Sequence, residues 1–231
     1  MLRSLFLFLF IAHTQNSFAF KLTPIVQEFG FNKKERTKSF RVINTNKEAI
    51  KIEAATYTRS IDKDGNEKRA ESEDFMIYPP LFEVAAGKSQ VIRVSYIGKE
   101  VDKEVPYRMI VRQVPGAIND GVQLKVVLEY IASLYVTPKN VSPKIKVNKA
   151  YVLNNKLHIN LENSGKKHDL LHNYDLSINQ KALKKKLNLK DKQYKKWSSI
   201  NLLPGNKREL IIPFKEKKFE DGKVEISLIK D

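Results

Sequence analysis

Short runs rich in valine, isoleucine, tyrosine, phenylalanine and threonine recur about every ten residues, separated by asparagine, glycine, lysine and aspartate. This spacing is typical of a β-sandwich or a β-barrel, and helical periodicity is hard to find. In the first half, the pattern predicts strands near residues 40–43, 50–57, 75–78, 90–96, 107–113 and 124–136. In the second half, it predicts strands near residues 145–147, 150–153, 157–161, 174–178, 197–200, 209–213 and 224–229. The fold class expected is therefore all-β.

Turn and linker signals divide these strands into two groups. Residues 62–66 (DKDGN) have the composition of a hairpin turn. Residues 138–143 (PKNVSP) contain two prolines, each of which lacks an amide donor and restricts the residue before it. We expect this segment to link two small β-sandwich domains, residues 20–138 and residues 139–231.

The first nineteen residues have the pattern of a secretory signal peptide. Arg3 precedes an apolar run at residues 5–12, and the small residues Ser17 and Ala19 stand where a signal peptidase cleaves. The apolar run is shorter than the roughly 20 residues that span a bilayer. The pattern predicts a signal peptide at residues 1–19, with an uncleaved anchor as the alternative, and no stable membrane insertion elsewhere.

The net charge of +16 raises the question of nucleic-acid binding. From residue 139 onward, 22 lysines and arginines stand against 10 acidic residues, so most of the excess lies in the second half. The basic runs there alternate with apolar residues, as in solvated strand faces. Together with export, this argues against nucleic acid as a partner, while weak attraction to an anionic membrane surface stays open.

No catalytic or cofactor-binding motif stands out. The chain has no cysteine, which excludes disulfides and thiolate chemistry, and it contains no phosphate-binding loop or zinc-protease motif. His168 and His172 are four residues apart, but their surroundings are loop-like, which favours surface or capping roles over metal ligation. We expect neither cofactor nor metal, and a non-enzymatic protein, with an unrecognised periplasmic enzyme as the remaining alternative.

One predicted strand is unusually long. Residues 122–138 read VQLKVVLEYIASLYVTP, well beyond the five or six residues of an average strand. One face of this strand carries, at a spacing of two, Val122, Leu124, Val126, Leu128 and Tyr130. If the strand lies at a sheet edge, its free N–H and C=O groups can pair with a strand of another protein. The alternative is an internal strand used entirely by its own sandwich.

Four segments of the first half resemble the periplasmic pilus-assembly chaperones of the chaperone–usher pathway. They are residues 78–84 (YPPLFEV), 87–94 (GKSQVIRV), 104–109 (EVPYRM) and 112–115 (RQVP). Their order and spacing agree with that family across residues 23–138, where the long strand falls at the family's donor strand. The second half matches more weakly.

The resemblance implies two immunoglobulin-like β-sandwich domains set at an angle, in a periplasmic protein. Its partners would be pilus or fimbrial subunits and an outer-membrane usher, and no ATP would be used. Leu124, Val126 and Leu128 fall on the donor positions that complete a subunit's fold, and Tyr130 extends them. A strand at a sheet edge also allows the free protein to form a homodimer, in which each copy covers the edge of the other. The alternative function is a chaperone-like structural or adhesive binding protein with a non-pilus client.

The resemblance also assigns charged residues. Arg93 and Glu104 fall on the family's charged network between the domains, with Asp221 as a third member. We expect such a network to fix the angle between the domains and to add little stability.

The sequence departs from the family at the clamp for the subunit's C-terminal carboxylate. Well-studied members use two basic residues, whereas this chain has residues 23–26 (TPIV) and Ser133 at those places. Arg108, on the strand expected beside the donor strand, is our candidate for the anchor, and Arg112 is second. A guanidinium group suits a carboxylate geometrically. The alternative is that both are ordinary surface or structural arginines.

Overall fold

A computed structural model describes residues 20–115, 127–181, 183–214 and 219–230, and β-strands dominate it. The strands of the first half are β1 (Phe20–Thr23), β2 (Val26–Phe29), β3 (Thr37–Asn44), β4 (Ile50–Ile61), β5 (Glu67–Glu71), β6 (Phe75–Tyr78), β7 (Leu81–Val84), β8 (Ser89–Tyr96), β9 (Val105–Val114) and β10 (Glu129–Val136). Those of the second half are β11 (Ile145–Leu153), β12 (Lys156–Asn163), β13 (Asp169–Leu170), β14 (Tyr174–Gln180), β15 (Leu183–Asn188), β16 (Asn201–Leu202), β17 (Lys207–Pro213), β18 (Gly222–Lys223) and β19 (Glu225–Lys230). Single turns of 3₁₀ helix lie at Leu171–Asn173 and Lys192–Tyr194, and α1 spans Lys195–Ser198. The predicted all-β fold class is confirmed.

The first half forms a two-sheet sandwich. One sheet has the order β1-β3-β8-β6, and the other has the order β2-β10-β9-β4-β5, with β7 also paired to β4. Alternate residues point into one core, as Phe40 and Val42 do from β3 and Met109 and Val111 from β9. Apolar side chains at a spacing of two therefore place one face of each sheet inward and leave the other to polar residues.

The second half has a core of its own between two smaller sheets, of order β17-β12-β11-β18 and β15-β14-β19. Leu157 and Ile159 of β12 face Leu176 and Ile178 of β14 in this core. The two buried clusters are separate, and eight residues lie between β10 of the first and β11 of the second. Each core thus has its own pair of sheets.

The predicted turn at residues 62–66 is confirmed and joins β4 to β5. The Asp62 carboxylate accepts hydrogen bonds from the amides of Asp64, Gly65 and Asn66, at 3.0, 2.8 and 2.9 Å. Gly65 has a φ of +97°, a conformation that favours glycine because a Cβ would be strained there. These contacts fix the register of the β4–β5 hairpin.

One prediction for the second half is wrong, and one strand there was not predicted. The strand expected near residues 197–200 is absent; α1 and a following turn occupy that segment. Trp197 and Ile200 are three apart, and both pack against the second core from one side of this turn. The sequence pattern also missed β15, whose residues read LKKKLN. This strand lies at a sheet edge, where lysines are common because they discourage pairing with other chains.

Some predictions concern residues that the structure does not describe. The predicted signal peptide, residues 1–19, and Val122, Leu124 and Val126 of the long strand lie outside the described residues. In the described part of the chain, every helix is too short to cross a membrane.

A buried carboxylate joins the two domains. Glu104, in the loop before β9, has a side chain with no solvent exposure. It accepts hydrogen bonds from the Thr137 hydroxyl at 2.9 Å and from the His168 amide at 2.9 Å, and it lies 2.6 Å from Nδ1 of the His168 ring. Its own amide donates to the Lys166 carbonyl at 2.9 Å. A surface or capping role was expected for His168, so its position at this interface differs from the prediction.

Replacing His168 with alanine should destabilise the protein by about 2–4 kcal/mol, because a buried carboxylate then loses one of its partners. The imidazole of His168 also stacks on Tyr135, with ring centroids 3.9 Å apart, and this contact is lost too. Urea unfolding measures the free energy of unfolding, and small-angle X-ray scattering reports the domain arrangement. The exposed His172 is the matched control, and His172→Ala should change neither measurement. Equal urea midpoints for the two variants would contradict the prediction.

Candidate functional site

Strand β10 is paired along both edges for only half of its length. It pairs antiparallel with β9 throughout, whereas its parallel partner β2 reaches only from Ser133 to Val136. β1, which precedes β2, belongs to the other sheet and pairs with β3. Among the described residues, positions 129–132 of β10 therefore have a strand on one side only. We call this stretch the open edge.

The hydrogen bonds on either side of the open edge show which backbone groups face outward. The Leu128 carbonyl accepts a hydrogen bond from a β9 amide at 3.1 Å, so even-numbered residues point toward β9. The Ser133 amide donates to the Ile25 carbonyl at 2.8 Å, so odd-numbered residues point the other way. Because this direction alternates along a strand, the N–H and C=O groups of Glu129 and Ile131 face the open side.

The side chains of β10 and of the two residues before it, Val127 and Leu128, also alternate. Leu128 and Tyr130 are half-buried at the rim of the first core, and the Tyr130 ring lies 4.9 Å from that of Phe20. Val127 and Ile131 project from the opposite face, 46% and 40% exposed. The open edge therefore combines free backbone groups with apolar side chains on both faces.

Arg108 lies where the open edge ends, directly opposite Ser133 in the register of β9 and β10. Its Nη1 donates a short hydrogen bond to the Ser133 hydroxyl. Its Nε and Nη2 donate to the two carboxylate oxygens of Glu67, at 3.0 and 2.6 Å. The guanidinium group of Arg108 thus lies beside Ser133. At this position the family that the sequence resembles carries a basic residue.

Two further arginines converge on the same carboxylate. Arg59 donates to Glu67 at 2.7 Å and Arg69 at 2.6 Å, and all four side chains are at least two-thirds sheltered from solvent. We call Glu67, Arg59, Arg69 and Arg108 the Glu67 cluster. Burial raises the pKa of the Glu67 carboxyl, but hydrogen bonds from Arg108 and Arg69 and the charge of Arg59 outweigh it and lower this pKa to about 2. With one carboxylate and three guanidinium groups, the cluster has an excess of positive charge.

The Glu67 cluster faces the second domain. Arg59 Nη1 donates to the Tyr135 hydroxyl at 3.4 Å, and Asn201 of the second domain donates to the same hydroxyl at 2.7 Å. The ring of Tyr135 stacks on His168, which contacts Glu104. A continuous set of contacts therefore runs from the cluster to the interface between the domains.

The other charged residues singled out in the sequence lie apart from this cluster. Arg112 is half-exposed and pairs with Glu53 at 2.8 Å, further along the same sheet face. Arg93 is exposed on β8, and Asp221 is exposed just before β18. Within the described residues, the side-chain partners of Glu104 are Thr137 and His168 and include neither Arg93 nor Asp221.

Sequence reasoning missed Glu67, Arg59 and the role of His168. Glu67 and Arg69 lie in a highly charged segment that is easily taken for a solvated loop. One signal was available: they are two apart on a strand after a recognisable turn, and that turn places Arg59 opposite Arg69. The contact between His168 and Glu104, by contrast, has no local sequence signature.

The fold and the open edge define the class of molecule: a two-domain β-sandwich protein that has, within its described residues, a strand edge at which another chain can pair. Residues 24–142, a little more than half of the chain, match the family described as pili and flagellar-assembly chaperone, PapD N-terminal domain. The chain belongs to this family. A comparison with curated protein sequences finds no match.

Solved chaperone structures share the fold. The class 5 fimbriae chaperone CfaA is 18% identical, with 91% of this chain and 98% of that chain covered and a TM-score of 0.60. A chain of the CsuC–CsuE complex, from the archaic chaperone-usher Csu pili of Acinetobacter baumannii, is 18% identical, with 83% and 89% covered and a TM-score of 0.56. A chain of the complex between the Salmonella enterica SafA pilin and the SafB chaperone is 17% identical, with 85% of each chain covered and a TM-score of 0.55. These similarities confirm the predicted architecture of two immunoglobulin-like domains.

The lowered pKa of Glu67 predicts an acid-sensitive contribution to stability. The ionised carboxylate stabilises the folded state above its ordinary pKa of 4.5, and this contribution is lost as the pH falls toward about 2. Glu67→Gln should therefore lower the urea midpoint at pH 7, and the gap between variant and wild type should narrow at pH 3. A gap of equal size at both pH values would show that ionisation of Glu67 contributes nothing to stability.

Proposed function

We propose that this protein is a periplasmic chaperone that holds pilus or fimbrial subunits by donating β10 to them. The observation that carries the proposal is the open edge, where the backbone groups of Glu129 and Ile131 have no partner strand among the described residues. A strand of a subunit can pair there through main-chain hydrogen bonds, while alternate side chains of β10 contact the subunit. Membership of the assembly-chaperone family supports this reading.

The apolar residues of the strand would complete the subunit's core. Leu128 and Tyr130 lie at the rim of the chaperone's own core. Leu124 and Val126 precede them in the sequence at a spacing of two, and we propose that these four side chains fill the subunit's groove. Each aliphatic side chain buried in this way is worth roughly 1.5–3 kcal/mol.

Arg108 is the proposed anchor for the subunit's C-terminal carboxylate. It is held beside Ser133, where β2 begins to cover the edge of β10, and its guanidinium group suits a carboxylate. Arg112 is less suited, because it is half-exposed and paired with Glu53. A visiting strand would thus meet a cation near the point where β2 takes over the edge.

Delivery to an outer-membrane usher follows from the proposed subunit binding, since a held subunit must be passed on to the growing fibre.

A free open edge also favours pairing between two copies of the chaperone. We therefore propose a self-capped homodimer as the resting state, which a subunit would replace.

Replacing Ile131 with proline should abolish subunit capture without unfolding the chaperone. The Ile131 amide faces the open side, so its loss spares the β9 ladder, and proline is tolerated at such an edge position. Co-expression with secreted proteins of the same organism, followed by mass spectrometry of what co-purifies, measures capture. We expect at least a tenfold loss, which corresponds to about 1.4 kcal/mol.

The matched control is Ile131→Ala, which shortens the side chain but keeps the amide donor. It should retain most of the capture, and thermal unfolding should show both variants folded. Normal capture by the proline variant would mean that subunits do not pair with this edge.

Replacing Arg108 should weaken subunit capture more than replacing Arg112, because Arg108 is the proposed anchor. Arg108→Ala should reduce the amount of co-purified subunit about tenfold or more, since a charge-assisted hydrogen bond is worth about 1.5–3 kcal/mol. Arg112→Ala removes the same charge four residues away on the same sheet face and should have little effect. Equal effects of the two variants would remove Arg108 as the anchor.

A further inference from the structure

The carboxylate of Glu67 is fully engaged by arginines. One oxygen accepts hydrogen bonds from Arg69 Nε and Arg108 Nε, and the other accepts from Arg59 Nε and Arg108 Nη2, at distances between 2.6 and 3.0 Å. An ionised carboxylate offers about four lone-pair directions, so no acceptor capacity remains. Glu67 therefore binds three guanidinium groups at once and fixes their mutual positions.

By contrast, Arg108 and Arg59 keep N–H donors that have no partner among the described residues. A guanidinium group has five N–H bonds, of which Arg108 spends two on Glu67 and one on Ser133. Arg59 spends one on Glu67 and one on Tyr135. The remaining N–H groups, together with the excess of positive charge in the cluster, are suited to a second carboxylate.

We propose that Glu67 is the positioning residue of the carboxylate site: it aligns Arg59 and Arg108 so that their unused donors receive an anion. This inference rests on the proposed function, because the carboxylate concerned is that of a bound subunit. It also accounts for the missing clamp residues, since arginines of the central strands β4 and β9 replace cations of the first strand and of the donor strand. Glu67 touches the arginines and not the ligand.

Glu67 positions the arginines and stays bound to them when the subunit's carboxylate binds. The incoming carboxylate does not displace it. Displacement would break four charge-assisted hydrogen bonds and allow the incoming carboxylate to remake at most the same number. Addition of a second carboxylate beside Glu67 breaks none of them and balances the excess charge. Addition is therefore the favoured mode of binding.

The turn end of the β4–β5 hairpin holds Glu67 in place, since Glu67 pairs with Ile61 beside the turn. The turn before β5 is fixed by Asp62, and the carbonyl of Ile61 accepts a hydrogen bond at 3.3 Å from Asn206 of the second domain. The cluster is further tied to Tyr135 through Arg59. Little conformational freedom remains to be lost when an anion binds, which favours affinity.

Titration of the full chain with sodium acetate, at an ionic strength held constant with sodium chloride, tests the proposal without requiring a subunit. The readout is the shift of the Nε–H signals of Arg59, Arg69 and Arg108 in ¹⁵N NMR spectra, with acetamide as the neutral control. We expect saturable shifts with acetate in the wild type. Glu67→Gln should raise the dissociation constant for acetate about tenfold, although this substitution makes the cluster more positive.

Two variants separate position from charge. Glu53→Gln also removes a carboxylate from an arginine, Arg112, on the same face of the sheet, and should leave acetate binding unchanged. Glu67→Asp keeps the charge but draws the carboxylate back by one methylene group, so it should weaken acetate binding as well. This second variant tests the proposal even if Glu67→Gln does not fold.

Acetate binding that is unchanged or tighter in Glu67→Gln would overturn the proposal, because it would make Glu67 a competitor. The absence of saturable shifts in the wild type would overturn it too. Subunit capture by the same variants, measured in parallel, keeps the two claims apart. A chaperone that binds acetate through Glu67 but captures no subunit would contradict the proposed function alone.

Discussion

A sheet edge that receives a partner is open to unwanted pairing, because its free N–H and C=O groups pair with any extended chain. The first domain limits this exposure by dividing β10 into a covered part and an uncovered part. β2 covers residues 133–136, and the chain before it crosses to the opposite sheet as β1. Pro24 lies at this crossing and lacks the amide that could continue either ladder. Glu129 adds a charge at the uncovered part, which discourages pairing with unrelated strands.

The second domain matters to this edge through the interface that it forms. Glu104, Thr137 and His168 form a buried polar contact, and the stacked ring of Tyr135 continues it toward the Glu67 cluster. Buried polar groups of this kind add little net stability, but each is costly to leave without a partner. An interface of this kind favours one arrangement of the two domains over its alternatives. The Glu67 cluster, which faces the second domain, therefore keeps a defined geometry.

Much of the fold can be predicted from the sequence, because strand periodicity and turn chemistry are local properties. Strands β4, β6, β8 and β9 and the turn at Asp62 follow from patterns only a few residues long. The lysine-rich β15 is hidden because an edge strand can lack an apolar face. Arg108 could be chosen from its strand. The turn brings Glu67 and Arg69 near Arg59, but their convergence with Arg108 could not be predicted, since the fold assembles the cluster from β4, β5 and β9. His168 contacts Glu104 from 64 residues away, and no local pattern encodes such a pair.

A free edge alone leaves the register of an added strand undetermined. Backbone pairing repeats every two residues, so a visiting strand could slide by about 6.6 Å and regain all its hydrogen bonds, while a shift of one residue would turn its apolar face to solvent. A charged end group bound at a fixed place removes this degeneracy. Arg108 stands opposite Ser133, at the first position that β2 covers, so a carboxylate held there sets the register for residues 129–132. Under the proposed function, the Glu67 cluster thus contributes specificity in alignment, and the apolar side chains of the strand contribute most of the affinity.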